Sequence, residues 1–267
     1  MTLFDLDQKV SVVTGALGLL GREHCKALAA AGSSVVATDM DGDAVAKFAS
    51  DIPNAIGVRM DVSNKASVQE TLQTVLQKHG RVDILVNSAA INDAVENPHA
   101  ETNLSRFENY PVELWDKVFA VNVRGTFLTC QIFGGQMVQQ GEGSIINIAS
   151  TYGIVAPDQS LYRKPDGKEQ DFFKSAAYPA SKASVISLTQ FLGAYWGRQG
   201  VRVNCLVPGG VENGQPEYFQ KNYGSRTPMG RMAAPSDYHG AVIYLASTAS
   251  RYMTGQNLVV DGGWTIW

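Results

Sequence analysis

The segment AAYPASKASVISL holds the residues whose types and spacing best suit chemistry, Tyr178 and Lys182. Pro179 suits the first turn of a helix, and side chains four positions apart lie on one helical face. A tyrosine with a pKa of about 10 is a poor base at neutral pH, but a fixed ammonium nearby stabilises the phenolate and lowers that pKa. The pair is therefore a candidate proton donor and acceptor. A YxxxK spacing also arises by chance on surface helices, so its meaning depends on the rest of the chain.

A glycine-rich stretch near the N-terminus, TGALGLLG (14–21), is a candidate dinucleotide-binding loop. It follows the apolar run VSVV and precedes a helical pattern, so a helix N-terminus there could face a phosphate. Gly15 would permit a tight turn, Gly18 a close approach of the backbone to a pyrophosphate, and Gly21 close packing of helix on strand. An ordinary glycine turn explains the loop by itself equally well.

Asp39, at the end of the second apolar run, favours the dinucleotide interpretation. It lies about 20 residues beyond the loop, where a carboxylate can accept hydrogen bonds from both hydroxyls of the adenosine ribose and would repel a 2′-phosphate. Thr38 and Met40 flank it, and the loop has no lysine or arginine before Arg22. The position therefore predicts NAD rather than NADP, although Asp39 alone could be a solvated turn acid.

Seven apolar, β-branched runs alternate with segments of helical periodicity, and we interpret the runs as strands. Their continuous hydrophobicity indicates a parallel sheet with helices on both faces. No proline- or serine-rich linker and no repeat divides the 267 residues, so we predict one doubly wound α/β domain over 1–267. The runs are residues 9–14, 33–38, 54–60, 82–87, 144–150, 201–207 and 257–261.

Composition indicates a protein that binds a small molecule. Lysine and arginine number 22 against 25 acidic residues, so no basic surplus favours nucleic acid or an anionic membrane as partner. We expect Cys25, Cys130 and Cys205 to be buried thiols, because each lies in an apolar stretch, and none forms a Cys/His cluster that would predict a metal. No segment has the pattern of a signal peptide or the roughly 20 apolar residues of a membrane span, so we expect a cytoplasmic protein.

Taken together, these motifs resemble the short-chain dehydrogenase/reductase family over essentially the whole chain. The resemblance implies a Rossmann-type sheet of about seven strands in the order 3-2-1-4-5-6-7, and a homo-oligomer, either tetramer or dimer. It also implies a nicotinamide dinucleotide as cofactor, which Asp39 predicts to be NAD(H). The segments that carry it are TGALGLLG (14–21), MDVS (60–63), NSAA (87–90), VNVRG (121–125), IINIAS (145–150), YPASK (178–182), VRVNCLVPGG (201–210) and GQNLVVDGG (255–263).

The resemblance also implies roles for individual residues. Ser150 would hydrogen-bond the substrate carbonyl and Tyr178 would be the catalytic acid/base. Lys182 would lower the pKa of that tyrosine and hold the nicotinamide ribose, and Asn122 would support a proton-relay water beside it. The positions expected to contact the cofactor are Thr14, Gly15, Leu17, Gly18, Leu19, Leu20, Asp39, Asp61, Val62, Asn87, Ser88, Ala89, Tyr178, Lys182, Pro208, Gly209 and Val211.

The chain departs from the usual family pattern in four places. Its loop reads TGxxGxxG, the spacing of the extended branch, whereas the classical branch has TGxxxGxG; the chain length and the ending VVDGGW favour the classical branch. Ala90 replaces a glycine, and Asn213 replaces a threonine expected to face the carboxamide. Ser150 and Tyr178 are 28 positions apart, wider than usual, and the excess is a polar insert, 152–177, expected to lie over the active site.

Substrate-binding loops are expected where strands end, and here they are rich in Asn, Asp, Glu, Gln, Tyr and Arg. This composition predicts a small polar substrate of the sugar, polyol or sugar-acid type, although solvated loops look the same. Lys164, Arg226 and Arg231 are candidates for binding a carboxylate or phosphate, or are surface charges. The loops are 91–111, 152–177 and 211–232.

Two other functions stay open at this point. An NADP-dependent 3-oxoacyl reductase would be expected to show a basic residue near Asp39, and a catalytically silent dinucleotide-binding protein would have no use for a pKa-tuned tyrosine. The complete set of Asn122, Ser150, Tyr178 and Lys182 favours an oxidoreductase. We expect oligomer contacts from the helices after residues 110 and 178 and from the C-terminal segment, which has two tryptophans.

Overall fold

The computed structural model describes residues 2–92, 102–167, 170 and 172–267. Within them lies a seven-stranded sheet in the order β3-β2-β1-β4-β5-β6-β7, with every neighbouring pair parallel. The predicted fold, strand number and strand order are confirmed, and each strand end lies within two residues of its predicted position. The strands are β1 (Val10–Thr14), β2 (Ser34–Asp39), β3 (Ala55–Arg59), β4 (Ile84–Asn87), β5 (Gly143–Ile148), β6 (Val201–Pro208) and β7 (Asn257–Val260).

Helices follow the strands and cover both faces of the sheet. One of them, α4, is a continuous helical segment that widens twice into π-helical turns, at Ala120–Gly125 and Cys130–Gly134. Its α-helical parts are Val112–Phe119, Thr126–Thr129 and Gly135–Gln140. The others are α1 (Leu19–Ala30), α2 (Gly42–Ser50), α3 (Lys65–His79), α5 (Ala177–Trp196), α6 (Glu217–Arg226) and α7 (His239–Ala246). Short 3₁₀ turns include Thr102–Ser105, Phe107–Asn109, Thr151–Gly153, Gln159–Tyr162, Gly197–Gln199, Pro235–Tyr238 and Thr248–Ser250.

The strands supply side chains alternately to two apolar cores, one on each face. Val35 packs in the core that contains Cys25 of α1, and its neighbour Val36 packs in the core that contains Phe133 of α4. Because both faces are buried, the strands need apolar residues at consecutive positions, as their sequences show. All three cysteines are buried, as predicted.

A smaller cluster ties the substrate loops to the chain end. Leu161 of the insert packs with Tyr223, Met232 and Trp264, and the ring of Trp264 stacks on that of Tyr223 with centroids 4.1 Å apart. Trp264 is therefore covered within its own chain and offers no apolar surface to a second copy, whereas Trp267, the other tryptophan of the chain end, is exposed. In the part of the chain that the structure describes, no helix is long and apolar enough to cross a membrane.

Candidate active site

The glycine loop between β1 and α1 has two positions that only glycine can fill. Gly15 has a φ of +62°, and a Cβ there would lie 2.6 Å from the Cα of Ala89. A Cβ on Gly21 would lie 2.0 Å from the carbonyl oxygen of Gly15, so α1 rests directly on the loop. Gly18 is the N-cap of α1, and Gly18 to Gly21 line a cavity. The first N–H groups of the helix are thus available to an anion in that cavity.

Thr14 joins the ends of two neighbouring strands beneath this loop. Its Oγ1 accepts hydrogen bonds from the backbone N–H of Ser88 at 3.1 Å and of Ala89 at 3.0 Å. These bonds hold the segment after β4 against the glycine loop. Ser88 lines the cavity, whereas Thr14 fixes the backbone that forms it.

Asp39 lies at the carboxyl end of β2 and its carboxylate is fixed by two backbone N–H groups. Its Oδ2 accepts from Leu17 at 3.0 Å and its Oδ1 from Met40 at 2.8 Å. The strand register places Arg59 of β3 beside it, and the Arg59 side chain is exposed next to Gly42. No cation stands near Asp39 in the sequence, because Arg59 is distant along the chain.

Three further positions expected to contact a cofactor have side chains engaged with the protein. The carboxylate of Asp61 accepts from the backbone N–H of Ser63 at 2.9 Å and from its hydroxyl at 2.7 Å. Val62 is buried, and a Cβ on Gly125 of α4 would lie 2.7 Å from its Cγ2. Asn87 is buried and donates to Asn147 Oδ1 at 2.8 Å. These side chains brace the strand ends.

The cavity, about 700 Å³ in volume, extends from the glycine loop to Ser150, Tyr178 and Lys182. Ser150 follows β5 by two residues, and its Oγ accepts from the backbone N–H of Tyr152 at 3.2 Å, which leaves its own proton available to the cavity. Lys182 is buried; its Nζ donates to the carbonyl of Ile148 at 2.7 Å and lies 5.7 Å from the centre of the Tyr178 ring. Burial lowers the pKa of Lys182 to about 8.

Asn122 lies on the first π-helical turn of α4 and joins three parts of the site. Its Oδ1 accepts from the backbone N–H of Ile91 at 2.7 Å, and its Nδ2 donates to the carbonyl of Ile91 at 3.1 Å and to Ser181 Oγ at 3.0 Å. Ser181 in turn donates to the carbonyl of Tyr178 at 2.7 Å. Asn122 therefore anchors both the loop after β4 and the first turn of α5. π-helical turns like the one that carries Asn122 are frequent at functional sites.

Pro208, Gly209 and Val211, at the end of β6, line the middle of the cavity together with Leu19 and Leu20. The far end is formed by the insert and by the segment that contains α6. Its polar lining residues are Asn92, Lys164, Lys174, Asn213 and Gln215, and its aromatic ones are Tyr152, Tyr162, Phe172, Tyr218, Phe219 and Tyr223.

Of the three basic residues suggested as ligands for an anion, the structure places Lys164 at the cavity. Arg226 is instead ion-paired with Asp158, and Arg231 with Asp237 at 2.6 Å. Each of these ion pairs therefore stabilises a loop and does not point to an anion ligand.

Lys174 and Asn92 were missed by the sequence analysis and both line the cavity. The Lys174 Nζ lies 4.5 Å from the centre of the Tyr178 ring and donates to Asn92 Oδ1. Lys174 lies in an irregular insert without helical or strand periodicity, so the sequence does not predict where its side chain lies. Only the folding of the insert brings it to Tyr178.

Comparison with known proteins gives matches along almost the whole chain. A family model described as short chain dehydrogenase matches residues 9–163, and one described as Enoyl-(Acyl carrier protein) reductase matches residues 166–265. The chain is 35% identical to D-threitol dehydrogenase of Mycolicibacterium smegmatis, over 98% of this chain and 95% of that protein. It is also 35% identical to galactitol 2-dehydrogenase (L-tagatose-forming) of Cereibacter sphaeroides, over 100% of this chain and 98% of that protein.

Among solved structures, a gluconate 5-dehydrogenase from Burkholderia cenocepacia in complex with NADP and tartrate is similar with a TM-score of 0.85. The two sequences are 29% identical, and the match covers 99% of this chain and 98% of that one.

Proposed function

Because the chain belongs to the short-chain dehydrogenase/reductase family, we propose that it is an NAD-dependent oxidoreductase that interconverts a secondary alcohol and a ketone on a small polar substrate. The observation that carries the proposal is that Ser150, Tyr178 and Lys182 line one cavity whose other end is the glycine loop. A dinucleotide-binding protein without turnover would need the loop but not this trio of side chains.

The residues present fit a nicotinamide dinucleotide. The glycine-lined cradle at the N-terminus of α1 leaves room and N–H groups for a pyrophosphate, since Gly18 has no side chain to fill it. We assign the adenosine ribose to Asp39, the adenine to Asp61 and the nicotinamide ribose to Lys182. When bound, the nicotinamide would supply or accept the hydride. Its ring would lie along the part of the cavity lined by Pro208, Gly209 and Val211.

The protein's own part of the reaction is to move a proton and to stabilise charge on the substrate oxygen. Tyr178 would take the proton from the alcohol, or return it to the ketone. Lys182, held by the Ile148 carbonyl, would stabilise the phenolate form with its charge. The Ser150 hydroxyl would donate to the same substrate oxygen. We assign Asn122 to the support of this centre through Ser181 and Ile91.

The preference for NAD is proposed on the position of Asp39. A carboxylate fixed by the Leu17 and Met40 N–H groups can accept from ribose hydroxyls and would repel a 2′-phosphate. Arg59 on the neighbouring strand is a cation of opposite effect, and the gluconate 5-dehydrogenase that resembles this chain is in complex with NADP. The choice between cofactors thus depends on the balance between Asp39 and Arg59.

The proposed substrate class is a polyol, sugar or sugar acid. The two relatives at 35% identity are named for threitol and galactitol, and the cavity end beyond Tyr178 offers amide, ammonium and phenol groups for hydroxyl recognition. The aromatic side chains at the same end, Phe172 and Phe219 among them, would suit the acyl chain of a 3-oxoacyl substrate, and the assay below distinguishes that alternative.

The experiment is a panel of polyols, aldonates and simple secondary alcohols assayed with NAD and NADP, beside titrations of NADH and NADPH followed by tryptophan fluorescence. We expect turnover of polyhydroxylated substrates and at least about tenfold tighter binding of NADH. Tighter binding of NADPH would refute the cofactor assignment, and turnover restricted to acyl thioesters would refute the substrate class. In the fluorescence titrations, Asp39→Ser should bring the affinities for NADH and NADPH closer together.

Two properties outside the site remain expectations, a homo-oligomer and a cytoplasmic location. Phe191 and Tyr195 are exposed on α5, and their rings stack with centroids 5.7 Å apart. This apolar pair supports self-association through α5, the helix after residue 178 that the sequence predicts for oligomer contacts.

A further inference from the structure

Tyr223 of α6 is a buried tyrosine whose hydroxyl lies between the segment after β6 and the turn after β5. The residue has 3% of its surface exposed and lines the cavity. Its ring stacks on that of Trp264, with 8° between the ring planes, and its backbone carbonyl accepts from Thr227 Oγ1 at 3.0 Å. The ring therefore has a fixed place, and the proton transfer proposed for Tyr178 makes no use of the Tyr223 hydroxyl.

The hydroxyl contacts the segment after β6. It accepts a hydrogen bond from the backbone N–H of Gly210 at 2.6 Å, and a Cβ on Gly210 would lie 2.5 Å from Cζ of the Tyr223 ring. Two neighbouring groups of this segment have backbone partners instead. The N–H of Gly209 donates to the carbonyl of Val260 at 3.0 Å, and the carbonyl of Gly210 accepts from the N–H of Ala233 at 2.9 Å. One side chain thus completes the hold on the backbone that is proposed to lie along the nicotinamide.

The same hydroxyl reaches the turn that begins at Ser150. The side chain of Thr151 is a second polar partner of the Tyr223 hydroxyl. Thr151 is buried, and its turn packs on α5, since a Cβ on Gly153 would lie 2.9 Å from the carbonyl carbon of Lys182. Ser150 is proposed to hydrogen-bond the substrate oxygen. One hydroxyl therefore joins the backbone beside the nicotinamide to the backbone beside the substrate.

The titration of this phenol separates it from a second acid/base. Burial raises the pKa of Tyr223 far above its usual value, although the N–H of Gly210 opposes the change. A phenol with so high a pKa stays protonated at neutral pH. The hydroxyl is therefore suited to holding neighbouring groups in place and not to exchanging a proton with the substrate.

We propose that Tyr223 is a positioning residue for hydride transfer, because its hydroxyl fixes the Gly210 backbone relative to the turn after Ser150. The inference rests on the proposed function and deepens it. Hydride transfer needs the two reacting carbons in one close geometry, and a displacement of about 1 Å can cost about 100-fold in rate. Tyr223 acts on this alignment and not on affinity, since the glycine loop, Asp39 and Lys182 are assigned to hold the cofactor.

The test is Tyr223→Phe, which removes the hydroxyl and keeps the ring with its stack on Trp264. The first readout needs no cofactor: amide hydrogen exchange of the cofactor-free protein should be about tenfold faster at Gly210 and unchanged in the rest of β6 and in α6. The second readout is single-turnover formation of NADH with the polyol that the panel turns over fastest. We expect this hydride step to slow by about 10- to 100-fold. Substrate KM and NADH affinity should stay within about threefold, and the pH profile of kcat should be unchanged.

Two further variants complete the design. Tyr244→Phe removes a phenol hydroxyl from α7, outside the cavity, and should leave both readouts as in the wild type. Gly210→Ala displaces the same contact from the backbone side, because its Cβ would lie 2.5 Å from Cζ of Tyr223, and should slow the hydride step in the same way. It also serves if thermal unfolding shows that Tyr223→Phe does not fold.

Several outcomes would overturn the assignment, and they are distinguishable. A wild-type hydride step, or wild-type exchange at Gly210, in Tyr223→Phe removes the positioning role and leaves the proposed oxidoreductase intact. A loss confined to substrate KM would make Tyr223 a wall of the far end of the cavity only, and a displaced pH profile would show that it acts on the proton of Tyr178. Faster exchange throughout β6 and α6 would assign the effect to a general loss of stability. A wild type without turnover on any substrate of the panel would refute the proposed function itself, and the role of Tyr223 with it.

Discussion

The two ends of the cavity are built in different ways. The cofactor end is formed by backbone: a glycine loop on a helix N-terminus, strand ends, and close contacts such as that of Gly21 with Gly15. The substrate end is formed by side chains from segments far apart in sequence, among them Asn92, Lys174 and Tyr223. In the proposed function the first end recognises features common to every dinucleotide of its class, and the second can change without disturbing the sheet.

The largest expected effect is at the boundary between the two ends. Tyr178→Phe removes the hydroxyl proposed to transfer the proton and keeps the ring, so both binding ends stay intact. We expect kcat to fall by about 10²- to 10⁴-fold or more, with the affinity for NADH unchanged within a few fold. Steady-state kinetics and NADH titration measure the two quantities.

Lys182→Ala is the comparison for this variant. Its ammonium is assigned to both the phenol and the nicotinamide ribose, so both kcat and NADH affinity should fall. Near-wild-type turnover by Tyr178→Phe would refute the mechanism, whatever the behaviour of Lys182→Ala.

The next effect separates the two ends from each other. Gly21→Ala places a Cβ 2.0 Å from the Gly15 carbonyl, a backbone atom that cannot move without opening the loop. We expect NADH affinity to fall by about 10- to 100-fold, corresponding to about 1.4 to 2.7 kcal/mol. Gly135→Ala is the matched control, since it lies in a helix with open space around its Cβ. Fluorescence titration measures the NADH affinity of both variants. Equal affinities in Gly21→Ala and Gly135→Ala would contradict the proposal that backbone contacts form the cofactor end.

The reciprocal variant at the substrate end is Leu161→Ala. Leu161 is buried against Tyr223, Met232 and Trp264 and is not packed against the glycine loop, so its loss loosens the contact of the insert with α6 and the chain end. We expect a rise in substrate KM of up to about tenfold with NADH affinity unchanged. A parallel loss of NADH affinity would show that the two ends are mechanically coupled.

The same division explains what could be predicted from sequence. Strands, the glycine loop, Asp39 and the Tyr178–Lys182 pair were found because each is encoded within a few consecutive residues. Lys174 was missed because it reaches Tyr178 only through the folding of the insert. Arg59 was missed because β3 pairs with β2 in register, which a reading of either strand alone does not show.

The hydrogen-bond partners of buried side chains could not be predicted from the sequence either. Asn87 was expected to line the cofactor groove, and its amide is engaged with Asn147 on β5. The widened turn that carries Asn122 breaks the regular helical period, so no periodic pattern predicted that its side chain would reach Ile91 and Ser181.

The smallest effect concerns stability and again belongs to the cofactor end. His24 of α1 is buried beneath the loop, with its Nδ1 3.3 Å from Ser88 Oγ. Burial, assisted by the charge of His239, lowers the pKa of His24 to about 4. An unfolded histidine has a pKa of about 6.5, so between these values the unfolded chain binds the extra proton. The stability associated with neutral His24 is therefore complete above pH 6.5 and is lost as the pH falls towards 4.

Between pH 7.5 and pH 5.5 this linkage amounts to about 1.4 kcal/mol, because the unfolded state gains about one pKa unit of protonation free energy while folded His24 stays neutral. His24→Leu should remove that part of the pH dependence, which corresponds to a few degrees in Tm. Cys25→Ala is the control: its thiol is buried with a pKa raised to about 12, so the variant should lose similar stability at both pH values. Glu23 does not interfere, since its pKa is lowered and its titration lies below this window. Thermal unfolding at pH 7.5 and pH 5.5 measures the change in Tm for each variant. If that change in His24→Leu equals the change in the wild type, His24 is protonated in the folded protein.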